Sequence, residues 1–205
     1  VKSRTYPRFC AAPVVLLTPV ARCGCSTTRQ TAGTDREVAG IRLASFRFRE
    51  DFDADLNDDA GWAAPASSDA ALIYDRPFRL RVQVRPGESS VNGVVLGLQY
   101  RRAGGSWASV GAADFPYPEF ATPAVSAVST QAYQHGAETI RLLGEAGVDW
   151  DEGAGLGGTA VTPAWNVEHQ VVEWEWPLVV RRFADGPEYF ADGQLFEFRV
   201  VDGLG

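Results

Sequence analysis

Two short stretches, residues 98–107 (LQYRRAGGSW) and 195–202 (LFEFRVVD), alternate apolar with polar side chains. That is the period of a strand with one buried and one wet face. The same period recurs at Phe46 and Phe48 against Arg47 and Arg49, and at Phe78, Leu80, Val82 and Val84 against Arg79, Arg81, Gln83 and Arg85. A chain written this way folds into sheets. The pattern predicts an all-β, antiparallel β-sandwich with a long loop insertion and little helix.

Turn chemistry sets the connections. Pro86-Gly87 ends one strand, Asn92-Gly93 tolerates positive φ and reads as a tight turn before Val94, and Gly104-Gly105 folds the third strand back into Ser106-Trp107-Ala108-Ser109-Val110. Further on, Val172, Trp174 and Trp176 alternate with Glu173 and Glu175 ahead of Pro177, which predicts a strand with a bulge or an edge position at the proline. Glu173 and Glu175 read as its wet face. Thr139 to Ala146 is the one stretch with a helical turn or two in it, cut short by Gly144. The strand from Leu195 to Val201 predicts a sandwich with an uncovered edge, because only Asp202 to Gly205 follow it.

Residues 1–40 differ from the rest and read as a leader or disordered segment, leaving 41–205 as a single β-sandwich domain with the loop-rich insertion at about 111–170. The apolar stretch Ala11 to Ala21 follows a basic start, as in a secretory signal, and is shorter than the roughly 20 residues a membrane-spanning helix takes. Cys10, Cys23 and Cys25 all lie in this segment, so residues 41–205 carry no thiol for a disulfide or a zinc site.

Charge narrows the partners. The first 34 residues hold five cations and no acid, leaving −12 on the remainder against −7 for the whole chain. Such a body repels polyanions, which argues against nucleic acid as a partner.

Residues 98–107 resemble the third strand and following hairpin of fibronectin type III domains, and Phe196-Glu197-Phe198-Arg199-Val200 is similar to that family's sixth strand. Phe196 stands where the family usually has a corner tyrosine. The span from Trp107 to Phe196 alone approaches the ~100 residues of a whole domain of this type, and the likeness covers about a third of the chain. It implies an immunoglobulin-like sandwich module of a bacterial extracellular or phage virion protein, and it brings no catalytic residue.

The expected function is therefore a non-catalytic module, a structural spacer or an adhesive, carbohydrate-binding domain of a larger surface, secreted or virion protein. The alternative is an accessory domain of a secreted carbohydrate-active hydrolase. Partners are then other domains or copies in the assembly, or glycans. Within 111–170, Tyr117, Tyr133, Trp150 and Trp165 are the candidate ligand-binding residues, since flat aromatic faces stack on sugar rings at low conformational cost. Packing as a lid over the sandwich is the competing role for the same aromatics.

Asp51, Asp53 and Asp55 open an acidic string that invites calcium as the one candidate cofactor, although no EF-hand register fits: from Asp51 the glycine position holds Leu56. Gly153 to Gly158 matches a dinucleotide fingerprint as a string, but no strand leads in and no helix follows, so it reads as a flexible loop. Glu173 and Glu175 lack the environment that splits two carboxyl pKa values in a glycosidase. With His135 and His169 the only histidines, and no Gly-x-Ser-x-Gly elbow, a hydrolase triad has little material.

Overall fold

The computed structural model describes residues 14–17, 41–51, 54–86, 91–112, 124–144, 149–167, 170–181 and 194–203. Among them there is no helix, and the Thr139 to Ala146 stretch, where described, runs as bends. Thirteen strands follow in chain order: β1 (Val14–Leu17), β2 (Ile41–Glu50), β3 (Ala70–Ala71), β4 (Phe78–Pro86), β5 (Val91–Val94), β6 (Leu96–Arg102), β7 (Ala108–Ser109), β8 (Gly111–Ala112), β9 (Val125–Ala127), β10 (Trp150–Asp151), β11 (Trp165–Val167), β12 (Val171–Val180) and β13 (Phe196–Asp202). The protein is all-β, as the alternation requires.

Two sheets form the sandwich. One has the order β3-β1-β13-β6-β7, and the other runs β2-β4-β12-β9-β8 with β10 pairing β12. The long ladders, β2 with β4, β4 with β12 and β6 with β13, are antiparallel, whereas the short β1–β13, β8–β9 and β10–β12 pairs are parallel. The Gly104-Gly105 hairpin forms as expected, with Gln99 opposite Ser109 and Tyr100 opposite Ala108. The edge of β13 expected to lie open is paired: β6 flanks one side and β1 the other.

The apolar faces meet between the sheets. Phe46, Phe48, Phe78, Leu80, Val82, Val84, Trp174 and Trp176 come from one sheet, and Leu96, Leu98, Phe196 and Phe198 from the other. Phe198 stacks between them, its ring 6.5 Å from Phe48 and 6.3 Å from Phe78. Offset and edge-on aromatic contacts at this spacing add to area burial.

Two local expectations change. Asn92-Gly93 is a bulge inside β5 rather than a turn: Val91 pairs Val167 and Val94 pairs Trp165, so two residues oppose Asn166 and Gly93 takes φ 65°. Pro177 is not at an edge, since β12 lies between β4 and β9. Its carbonyl accepts from Val128 N at 2.9 Å, and pairing with β9 starts one residue later, at Leu178 opposite Ala127. The ladder to β9 stops where the proline has no N–H to give.

Candidate functional site

The second face of β12 is the unusual part of the molecule. All ten residues of this strand are buried, which corrects the reading of Glu173 and Glu175 as a wet face; both are fully enclosed. The register explains how carboxylates come to be there. Glu175 lies opposite Arg81 and Glu173 opposite Gln83 on β4, while Arg49 of β2 lies opposite Arg79. Three adjacent strands thus present one polar row on the face turned away from the core.

Arg79 donates from Nη1 to Glu175 Oε1 at 2.9 Å and from Nη2 to Ala54 O at 2.5 Å, and its Nε lies 3.4 Å from Asp51 Oδ1. Arg81 pairs through Nε with Glu173 Oε2 at 2.5 Å and through Nη1 with Glu175 Oε2 at 3.2 Å. It also donates to the carbonyls of Leu56 and Ile140. Among the described residues Arg49 pairs with no carboxylate; it donates to Asp55 O at 2.6 Å and Asp58 O at 2.5 Å, under the Trp62 ring at 4.0 Å. Burial lowers its pKa to about 10, with Glu175 opposing the shift and Arg79 and Arg81 adding to it, so it stays a cation at neutral pH. Glu173 accepts from Arg81, from Gln83 Nε2 at 3.1 Å, and from Leu142 N and Leu143 N. With Asp51, three carboxylates offset three guanidinium groups.

Two loops close this layer. Residues 54–58 supply carbonyls to all three arginines, and residues 137–143 supply the Ile140 carbonyl and two amides to Glu173. Asn57 joins the loops, donating to Glu138 O at 3.0 Å and accepting from Ile140 N at 2.9 Å. Thr139, also buried, donates to Glu173 O at 2.8 Å. Every carboxylate oxygen of the pair is held by a cation or an amide, so neither glutamate is left as a base or nucleophile. The arrangement fixes loops to a sheet.

The aromatic candidates divide between two faces. Tyr133 lies on the polar side, its hydroxyl donating to Glu175 O at 3.2 Å and its ring 5.8 Å from the Arg79 guanidinium. Burial, then Glu175, pushes its phenol well above the ordinary range. Trp165 packs on Trp174, whose side chain belongs to the core, at 5.5 Å. Trp150 pairs with Val171 at the start of β12. These three do not form one platform, and Tyr117 lies outside the described residues.

Of the calcium candidates, Asp51 accepts from Thr130 Oγ1 at 2.6 Å and faces Arg79, Asp55 is exposed, and Asp53 lies outside the described residues. The loop carbonyls a calcium ion would need are turned to guanidinium groups. Among the described residues no three His, Cys, Asp or Glu side chains group to hold a metal ion.

The glycine run at 153–158 is a packed element, not a free loop. A Cβ on Gly153 would come 1.8 Å from Glu173 O and one on Gly155 would meet the Tyr133 ring at 2.4 Å. Leu156 N donates to Glu175 O at 2.7 Å. Absent side chains let this segment lie against β12 and seal the layer. Sequence reasoning passed over Arg49, Arg79, Arg81 and Gln83; the signal available was the matching of an Arg-x-Arg-x-Gln row on one strand with a Glu-x-Glu row on another.

Among the described residues no helix is long and apolar enough to cross a membrane. Compared with known proteins, the chain matches no family model, no curated protein and no solved structure.

Proposed function

We infer that this chain is a non-catalytic β-sandwich module of a larger surface, secreted or virion protein, with a structural spacer role ahead of an adhesive one. The observation that carries the reading is the buried Arg–Glu layer, whose hydrogen-bonding groups are directed inward at loop backbone. A layer of this kind favours one fixed arrangement of long loops over binding or turnover. The likeness to fibronectin type III domains adds support: in that family the third and sixth strands share a sheet, as β6 and β13 do. Elsewhere on β6, the Tyr100 hydroxyl accepts from Ala124 N at 3.0 Å.

Glycan-array binding by the intact chain and by Trp150→Ala tests the choice between the two roles. The spacer reading expects no glycan signal from either protein. A saturable signal lost in Trp150→Ala moves the assignment to adhesion.

A further inference from the structure

Arginines face each other three times along the outer face of β2 and β4, as Arg49–Arg79, Arg47–Arg81 and Arg42–Arg85. Like charges directly opposite across an antiparallel pair repel. The first two pairs are compensated: Arg79 and Arg81 by Glu175, Glu173 and Asp51, and Arg47 by Asp59 at 3.9 Å and the Trp62 ring at 4.4 Å. The third has no carboxylate within 4 Å among the described residues, and both its side chains are exposed. Arg85 also lines an open cleft of about 360 Å³.

The cleft lies where the polar layer ends. Gln83, 4% exposed, is one wall, with its amide nitrogen already given to Glu173. Arg141 is a second cation at the cleft, folded so closely over Gly144 that a Cβ there would sit 2.0 Å from its Nε. Leu143 and Val171 supply apolar surface, and Leu43 lines the cleft while its side chain packs against the core. Two backbone irregularities shape the opposite side: the bulge in β2 between Leu43 and Ser45, and Ser67 at φ 55°. Bulges and left-handed non-glycine residues concentrate where a backbone is aimed at a ligand. Among the described residues no Asp or Glu lines the cleft.

We propose that this cleft binds a compact organic carboxylate, with Arg85 taking the carboxylate group and Leu143 and Val171 covering a short hydrocarbon body. The anion would serve as a counter-ion for the Arg42–Arg85 pair, which has no carboxylate within 4 Å among the described residues. The volume fits a ligand at the small end of the usual range, about 300 to 1,000 Å³.

Titrating the intact chain with hexanoate, hexanamide and inorganic phosphate, followed by backbone amide NMR shifts at Leu43 to Ser45 and Leu143, tests this. Hexanoate should give saturable shifts with millimolar or tighter affinity, which corresponds to about 4 kcal/mol at 1 mM, and should raise the melting temperature. Hexanamide should give none, and Arg85→Gln should weaken hexanoate about tenfold, the scale of one charge-assisted hydrogen bond. Arg85 is exposed, so that variant should melt like the parent without ligand. Silence at about 20 mM hexanoate, well above the weakest affinity that counts as binding, overturns the proposal. So does equal binding of hexanamide, equal binding of phosphate, or hexanoate binding unchanged in Arg85→Gln.

Discussion

The two faces of β12 are both closed to water, but by opposite chemistry. Val172, Trp174, Trp176, Leu178 and Val180 meet the other sheet in an apolar core, while Glu173 and Glu175 meet arginines and loop backbone. The apolar face tolerates imprecision, because dispersion and area burial are non-directional and only volume must match. The polar face does not. Each charge there has left water, and the cost is offset only if the partners stand in the right places. One strand therefore carries a face that stabilises by bulk and a face that specifies by geometry.

That contrast can be broken at either side. Trp176→Ala should cost about 3–5 kcal/mol through the cavity it leaves, and Phe198→Ala about the same; urea denaturation of each variant reads it. Arg81→Met should cost a similar amount, about 3–5 kcal/mol, by stranding Glu173 and Glu175. The two routes separate in the double variant: Arg81→Met with Glu173→Met should cost clearly less than the two single changes added together, whereas Trp176→Ala and Arg81→Met should combine with less coupling. Additive losses for the ion pair would mean that the charges are not coupled.

Glu173→Gln should cost about 1–3 kcal/mol, the scale of an unsatisfied buried group, where a wet-face glutamate would have changed stability little. A loss within experimental error would return Glu173 to solvent. Trp62→Ala should cost about 1 kcal/mol by uncovering Arg49 and Arg47, and proteolysis between Asp51 and Trp62 should speed up as the loop loosens.

An effect of similar size is expected at Tyr133. Its folded-state phenol titrates above the unfolded value of 10.0, so the stability it contributes is fully present below pH 10 and falls as pH rises above it. Tyr133→Phe should lose about 0.5–1.5 kcal/mol at neutral pH with its bond to Glu175 O, and the gap to the parent should narrow in alkaline melts. A gap that stays constant would place the hydroxyl in solvent.

Periodicity made β2, β4, β6, β12 and β13 readable, and the double glycine made the β6–β7 hairpin readable. It failed on the second face of β12 because alternation reports which residues differ from their neighbours, not whether a loop will cover the polar ones. Glu173 looks the same in sequence whether it meets water or Arg81. Asn92-Gly93 misled for a related reason: positive φ is needed equally by a turn and by a bulge, and only the pairing of β5 with β11 distinguishes them. The acidic string from Asp51 invited calcium in sequence, but the groups its described carbonyls meet are guanidinium groups of the chain itself, contributed by strands whose register the string does not state.

What the amino-acid order determined by itself is local: strand period, the Gly-Gly hairpin, an all-β class and an acidic body, since these follow from side-chain alternation, backbone freedom and composition. The tertiary structure alone decided which polar residues are buried, which arginines are compensated and where the cleft opens. Those outcomes depend on β2, β4 and β12 lying side by side in one register and on loops far along the chain folding over them, and burial and Coulomb energies are set by neighbours in space.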